Sequence, residues 1–370
     1  MRLNSTFRGV VGRLTLTAAA VMAAGCATTG GMSSAGKEYV LTVTRPGHLQ
    51  VIDAQTHEVV RRCEIPGRFG SGAMAPAPDG RTVFVLSNAW EDVYGFEVET
   101  CKIIFSAKQS EGNITVKSFQ SVAVSADGKE LYTIQNPTEQ LKDRYRTHEP
   151  KLAVYNIADG LNAKPVRTFP VPRRISKIAA TKTGEVILGG GDIQAINTQT
   201  GEIRMVTALQ NWDRGPLWLP PDAFAMHSQG EHVNEYVMPY TTAKFESEEW
   251  DFDKAEWWWG MSRVDLNTGK VEAGEVFPFE GIVFTMVSDP RDRNIFYGAF
   301  NDVTKHDLTK QATVATEPLP RTYYSINIVR DGSKVFIGGG GNDISVYSTD
   351  TLKPLDRIYL SGDMATADVR

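Results

Sequence analysis

The chain has 370 residues, 44 acidic against 39 basic, and a formal net charge of −5. An acidic balance excludes nucleic acid as a partner, because binding phosphate needs a basic surface. Outside the first 25 residues no stretch is long and apolar enough to span a membrane.

Residues 1–25 stand apart from the rest. They carry Arg2, Arg8 and Arg13 and no acid, then the apolar run LTLTAAAVMAA, then Ala23-Ala24-Gly25-Cys26. A basic start, a short apolar core and small residues before a cut describe a secretory signal. A Cys after Ala-Ala-Gly resembles a bacterial lipobox, so Cys26 is the expected lipid anchor and mature N-terminus. A large aliphatic residue is usual three positions before that Cys, and Ala23 departs from the pattern. Residues 26–36 are small and polar, as in a flexible tether. The expected location is the periplasm, with a membrane tether through lipidated Cys26. Export implies an oxidising compartment. Cys63 and Cys101 do not occupy equivalent repeat positions, so spacing gives no support for a disulfide and free buried thiols are the default expectation. There is no CxxC and no CxxCH.

From residue 37 onward a strand–turn–strand motif recurs seven times. The copies are VIDAQTHEVVRRCEI from Val51, GFEVETCKIIFSA from Gly95, VYNIADGLNAKPVRTF from Val154 and AINTQTGEIRMVTAL from Ala195. RVDLNTGKVEAGEVF from Arg263, KHDLTKQATVATEPL from Lys305 and VYSTDTLKPLDRIYL from Val346 complete the set. Successive starts differ by 44, 59, 41, 68, 42 and 41 residues. A period near 40 built of strands and turns marks a β-propeller blade. Ahead of most copies sits a second hairpin turning at Asp79-Gly80, Asp127-Gly128, Thr183-Gly184 or Asp331-Gly332. The expected fold is all-β: a seven-bladed propeller over residues 37–370, each blade four antiparallel strands A to D. YVLTVTR (39–45) reads as strand B of blade one with no strand A before it. The missing strand is expected from MATADV (364–369), so that pairing of N- and C-terminal strands closes the ring and removes two sheet edges.

Two long insertions, 136–151 in blade three and 244–260 in blade five, fall between strands B and C. B–C loops and D–A connections share one face of a propeller, and the short A–B and C–D turns share the other. One face is therefore trimmed and the other elaborated, which is where binding belongs on a rigid scaffold. The blade-five insertion holds Trp250, Trp257, Trp258 and Trp259 among Glu248, Glu249, Asp251, Asp253 and Glu256. Exposed aromatics amid charge suit a protein interface; the competing reading is that they cap the channel or cover neighbouring blades. The acids match no EF-hand spacing. The six His are scattered; His227 and His232, the one close pair, read as a solvated turn. No GxSxG, HExxH or P-loop occurs, and Gly338–Gly341 reads as a tight B–C connection. No catalytic, cofactor-binding or metal-ligating residue is expected in this chain.

Several segments go beyond a generic propeller. The start KEYVLTVTRPGHLQVIDAQTHEVV, the centre ALQNWDRGPLWLPPDAFAMHSQGEHVNEYVMPYTTAK and the end from DLTKQATVATEPLPRTYYSIN onward resemble the β subunit of quinohemoprotein amine dehydrogenase. The most specific pieces are Leu319–Asn327, Gln210-Asn211-Trp212 and the segment around Tyr240, and the likeness covers most of residues 37–370. The resemblance implies a YVTN-like seven-bladed propeller without a prosthetic group of its own. Its partners would be an α subunit with two c-type haems and a γ subunit with cysteine tryptophylquinone, which together deaminate primary amines oxidatively. It also implies contact between the elaborated face and the γ subunit, with Trp212, Tyr323 and Tyr324 as candidate contacts beside D–A connections; core packing between blades is the competing reading. The lipobox-like site and the long acidic Trp segment depart from the family's pattern. A stand-alone envelope lipoprotein that scaffolds other proteins is the alternative. A propeller hydrolase would need an acid–base or metal cluster that the sequence does not assemble.

Overall fold

The computed structural model describes residues 37–69, 73–223, 229–230 and 234–364. Residues 1–36 lie outside this range, so the signal, Cys26 and the tether are not described, nor are His227 and His232.

Seven antiparallel sheets follow one another along the chain; the ordinary blade runs from strand A to strand D in sequence order, blade one has three strands, and blades three and five carry additional pairings. Blade two shows the unit: Met74–Pro76, Thr82–Ser87, Asp92–Glu97 and Lys102–Lys108. Blade one contributes Tyr39–Thr44, His48–Asp53 and Val59–Glu64, the expected B, C and D strands. Its closure begins as expected, with Thr44 bridged antiparallel to Met364. The Arg45 N–H donates to the Asp363 carbonyl at 2.9 Å, and Gln50 Nε2 donates to Ser361 Oγ at 3.1 Å. The remainder of the expected closing strand, 365–369, lies outside the described residues.

Strand B of an ordinary blade is buried on both faces, because each blade is sandwiched between two others. All six residues of Thr82–Ser87 are buried. The outer strand is the opposite: in Pro354–Tyr359 only Ile358 is buried. Apolar side chains meet in seven clusters, each shared by two neighbouring blades. Leu41, Val51, Val83 and Phe96 join blades one and two, and Val40, Ile52, Phe336 and Val346 join seven to one.

The trimmed face is held by carboxylate-capped turns. The Oδ1 of Asp53 accepts from the backbone N–H groups of Gln55 and Thr56, Asp265 does the same for Asn267 and Thr268, and Asp307 for Thr309 and Lys310. Each of these bonds favours the carboxylate form. The Thr309 hydroxyl and the Lys310 ammonium hold Asp307 down to about 2.

Cys63 and Cys101 form a disulfide, with Cα atoms 5.1 Å apart. This corrects the expectation of free thiols. Equivalence within the repeat is the wrong criterion, because blades meet face to face and place non-equivalent residues opposite each other. Cys63 is buried in the cluster between blades one and two, with Cys101 packed against it. In the chain-entropy account, a bridge spanning 38 residues stabilises by about 4 kcal/mol. Cys63→Ser with Cys101→Ser should therefore lower the urea midpoint by an amount equivalent to about 2–4 kcal/mol; an unchanged midpoint in equilibrium unfolding would contradict this account.

His306 lies in the seam of blades five and six. Its ring stacks on Phe277 at 4.1 Å, and its nitrogens meet the hydroxyls of Thr304 (2.8 Å) and Thr313 (3.2 Å). Burial lowers its pKa from 6.5 to about 3. Between those values the unfolded chain binds a proton that the folded chain refuses, so stability falls as pH drops from about 6.5 towards 3. His306→Gln should flatten this dependence by up to about 1.4 kcal/mol per pH unit, read from urea midpoints between pH 7.5 and 5.

Candidate functional site

The elaborated face is built from two extended hairpins and the D–A connections beside them. In blade three, strand Glu130–Gln140 continues past the blade and pairs with Tyr145–Thr147 on one side and Ile114–Lys117 on the other. An open cleft of about 720 Å³ lies there, lined in part by Glu111, Pro137, His148 and Lys151. In blade five, Glu235–Lys244 pairs with Glu256–Asp265 along ten residue pairs.

That pairing corrects the reading of 244–260 as a loop bearing four Trp. Trp257, Trp258 and Trp259 lie in strand C opposite Ala243, Thr242 and Thr241, and only 245–255 turns. Trp257 and Trp259 share one face of the strand and Trp258 takes the other, so the first two differ by position along the hairpin. Trp257 is 37% exposed and Trp258 half-buried, whereas Trp259 is buried. The Trp259 indole N–H donates to the Gly281 carbonyl at 3.0 Å and its ring stacks on Phe279 at 5.4 Å. Trp259 is thus a core residue and offers no interface surface. Trp250 is half-buried in the turn: its N–H donates to the Pro216 carbonyl at 2.7 Å and its ring lies parallel on Phe245 at 5.0 Å.

Trp212 belongs to a clamp between the connection 208–221 and blade five. The Arg214 guanidinium lies 4.5 Å from the Trp212 ring and 3.6 Å from the Trp218 ring. It donates through both Nη atoms to the Glu275 carboxylate at 2.5 and 2.7 Å. The Tyr240 hydroxyl also donates to Glu275, at 3.3 Å. Gly260 makes room for this arrangement: a Cβ there would fall 2.1 Å from the Tyr240 ring.

The two adjacent tyrosines differ in burial. Tyr323 is fully buried, which excludes it as a direct contact residue. Its hydroxyl donates to Asp343 Oδ2 at 2.5 Å and meets Ser345 Oγ at 2.9 Å. Arg321 and Arg357 each donate to the same carboxylate at 2.7 Å. Burial pushes the Asp343 carboxyl up, but these three donors outweigh it and hold it below its ordinary range. Burial pushes the Tyr323 phenol up to about 12, so it stays a donor. Tyr324 is half-buried and meets Phe284 (5.1 Å) and Phe300 (5.9 Å) edge-on. The glycine run read as a tight connection has a further use. Gly340, at φ +76°, lies against the Tyr324 ring and Gly341 against the Arg321 guanidinium.

Arg214, Glu275, Asp343, Phe279, Phe284 and Phe300 were not found by sequence reasoning. Their partners are distant in the chain, and only Arg214, two residues after Trp212, carried a local signal. No group of three or more His, Cys, Asp or Glu able to hold a metal occurs among the described residues.

The ring of blades, trimmed on one face and extended on the other, defines a seven-bladed β-propeller. The chain belongs to the PQQ_2 family, described as outer membrane protein assembly factor BamB, whose family model matches residues 8–239. No curated protein matches the chain. Solved structures share its fold. Hydrazine synthase from Kuenenia stuttgartiensis has a TM-score of 0.54 at 14% identity, covering 88% of this chain and 93% of that one. A functionally unknown protein from Desulfotomaculum acetoxidans DSM 771 gives 0.52 at 13%, covering 90% and 99%. Dihydro-heme d1 dehydrogenase NirN, in complex with DHE, gives 0.52 at 14%, covering 89% and 74%.

Removing the clamp should loosen one face without unfolding the ring. Arg214→Ala leaves Glu275 half-buried without its cation, at a cost of about 3 kcal/mol. Hydrogen exchange should speed up across 208–221 and stay unchanged in blades two and three; uniform acceleration would show that the clamp carries the whole fold.

Proposed function

We propose that this chain is the non-catalytic propeller subunit of an exported amine dehydrogenase complex, holding a quinone-bearing γ subunit and a dihaem α subunit against its elaborated face. The observation that carries this reading is spatial. Two pieces of the central run that resembles the β subunit of quinohemoprotein amine dehydrogenase, Gln210-Asn211-Trp212 and the stretch around Tyr240, meet there. Trp212 packs edge-on to Tyr240 at 6.4 Å, and both surround Glu275 with Arg214. The third segment presents Tyr324 beside Phe284 and Phe300.

In this reading cysteine tryptophylquinone and the c-type haems supply the redox chemistry from the partner subunits, and a primary amine reacts on the quinone-bearing one. The chain itself has no CxxCH to attach haem. Its residues bind and orient: Trp212 and Tyr324 offer ring surface, and Arg214 with Glu275 holds the connection that carries Trp212. The periplasm is the proposed compartment, and Cys26 the proposed lipid tether.

A second reading is a stand-alone envelope scaffold. The family match supports it, because that family is described as an outer-membrane assembly factor. Affinity purification of the tagged chain from its native host separates the two. A Soret band with a small quinone-bearing subunit in the eluate is the expected result, and Trp212→Ala with Tyr324→Ala should reduce both at least tenfold while the propeller stays folded. A colourless eluate containing other envelope proteins would replace the dehydrogenase reading with the scaffold one.

A further inference from the structure

We propose that the tip of the blade-five hairpin is a docking site for a lysine- or arginine-bearing, partly apolar polypeptide segment of a partner protein. The proposal rests on the reading of this chain as a protein-binding propeller and names the chemistry of what one part of its face binds.

The first observation is an apolar platform open to solvent. Phe252 is 52% exposed and Trp257 37% exposed. Phe252 stands edge-on to Phe245 at 5.1 Å and lies 6.3 Å from Trp257, which in turn lies 6.5 Å from Phe279. Thr241, Trp257 and Phe279 line an open cleft of about 270 Å³. The platform is held in place from below. Trp250 is stacked on Phe245 and hydrogen-bonded to Pro216, and Trp259 is stacked on Phe279. Rigid aromatic rings desolvate with little loss of conformational freedom, which suits an anchor site.

The second observation is charge. Glu246, Glu248, Glu249, Asp251 and Asp253 on the turn and Glu256 at the start of strand C are all exposed, against one base, Lys254. Lys254 is taken by Asp251 at 2.7 Å. The other five carboxylates have no ion-pair partner among the described residues. Like charges this close repel one another, and a cationic partner converts that repulsion into attraction. Elsewhere on blade five the aromatic faces already carry cations: Arg214 lies on Trp212 and Trp218, and Lys244 near Trp218. The Trp257 and Phe252 faces are left to an outside cation.

Together these features select the occupant. The carboxylates repel phosphate, so neither an anionic lipid surface nor a nucleic acid fits. A lone ammonium ion would satisfy one carboxylate and leave the aromatic cleft empty. A segment with basic side chains spaced along an apolar backbone meets both.

The test uses the purified full chain and two labelled ten-residue peptides, one alternating lysine and leucine around a central proline, the other with glutamate for lysine. Fluorescence anisotropy should show binding of the lysine peptide only, weakening at least tenfold from 50 to 300 mM salt. Trp257→Ala should weaken it about tenfold, as should the separate triple reversal Glu248→Lys, Glu249→Lys, Asp253→Lys, both with unchanged melting. Any of four results overturns the proposal: neither peptide binding, both binding equally, binding untouched by the variants, or Trp257-dependent flotation with phosphatidylglycerol vesicles. Trp257-dependent self-association in sedimentation would assign the surface to a second copy instead. Because the peptides do not depend on the native partner, failure here leaves the co-purification result standing, and a colourless co-purification leaves this result standing.

Discussion

No blade in this molecule is stable by itself, and the structure follows from that constraint. A four-stranded sheet whose inner strands are apolar on both faces has two surfaces to cover, and each neighbour covers one. Phe84 and Phe96 lie on the same blade but in different seams, one against blade three and the other against blade one. The ring is the arrangement in which every such surface is covered, and blade one is completed against blade seven. A stack of these blades left open would leave two apolar faces in water.

With rigidity supplied by the seams, the two rims are released to differ. On one rim, carboxylate-capped turns reverse the chain in the fewest residues, and Asp53, Asp265 and Asp307 repeat a single solution. On the other rim, two B–C hairpins grow beyond the blades without breaking their pairing. The growth is secured by specific bonds. Arg214 pins the connection 208–221 to Glu275, and Asp343 gathers Arg321, Tyr323 and Arg357 beneath Tyr324. These buried charge clusters position the aromatic residues that reach the surface.

What the sequence made legible was local. The repeat period, the Asp-Gly and DxxTG-like turns, the blade count and the elaborated rim could all be read, because each depends on residues within one hairpin. What stayed hidden depends on register or on distant partners. A run of three tryptophans looks uniform in sequence, but Trp257 and Trp259, on one face of the strand, differ in burial because Trp257 lies nearer the hairpin tip and Trp259 nearer the blade. Tyr323 is buried against Asp343 and Ser345, whereas its neighbour Tyr324 is half-buried beside Phe284 and Phe300. The Cys63–Cys101 bridge joins positions that the repeat does not relate, and nothing local marks Glu275 as the partner of Arg214.

That bridge also bears on the order in which the ring is completed. A chain made from its N-terminus presents blade one first and Met364, which pairs with Thr44, much later. During that interval one flank of blade one has no neighbour. The disulfide to blade two fastens its other flank, so the waiting strands are kept at the growing end of the stack and away from stray sheet edges on other molecules. Once the ring is shut, the same bond keeps the seam between blades one and two fastened, while the seam between blades seven and one is held by packing and by the Thr44–Met364 bridge, much as a rivet at one side of a buckle leaves the clasp on the other.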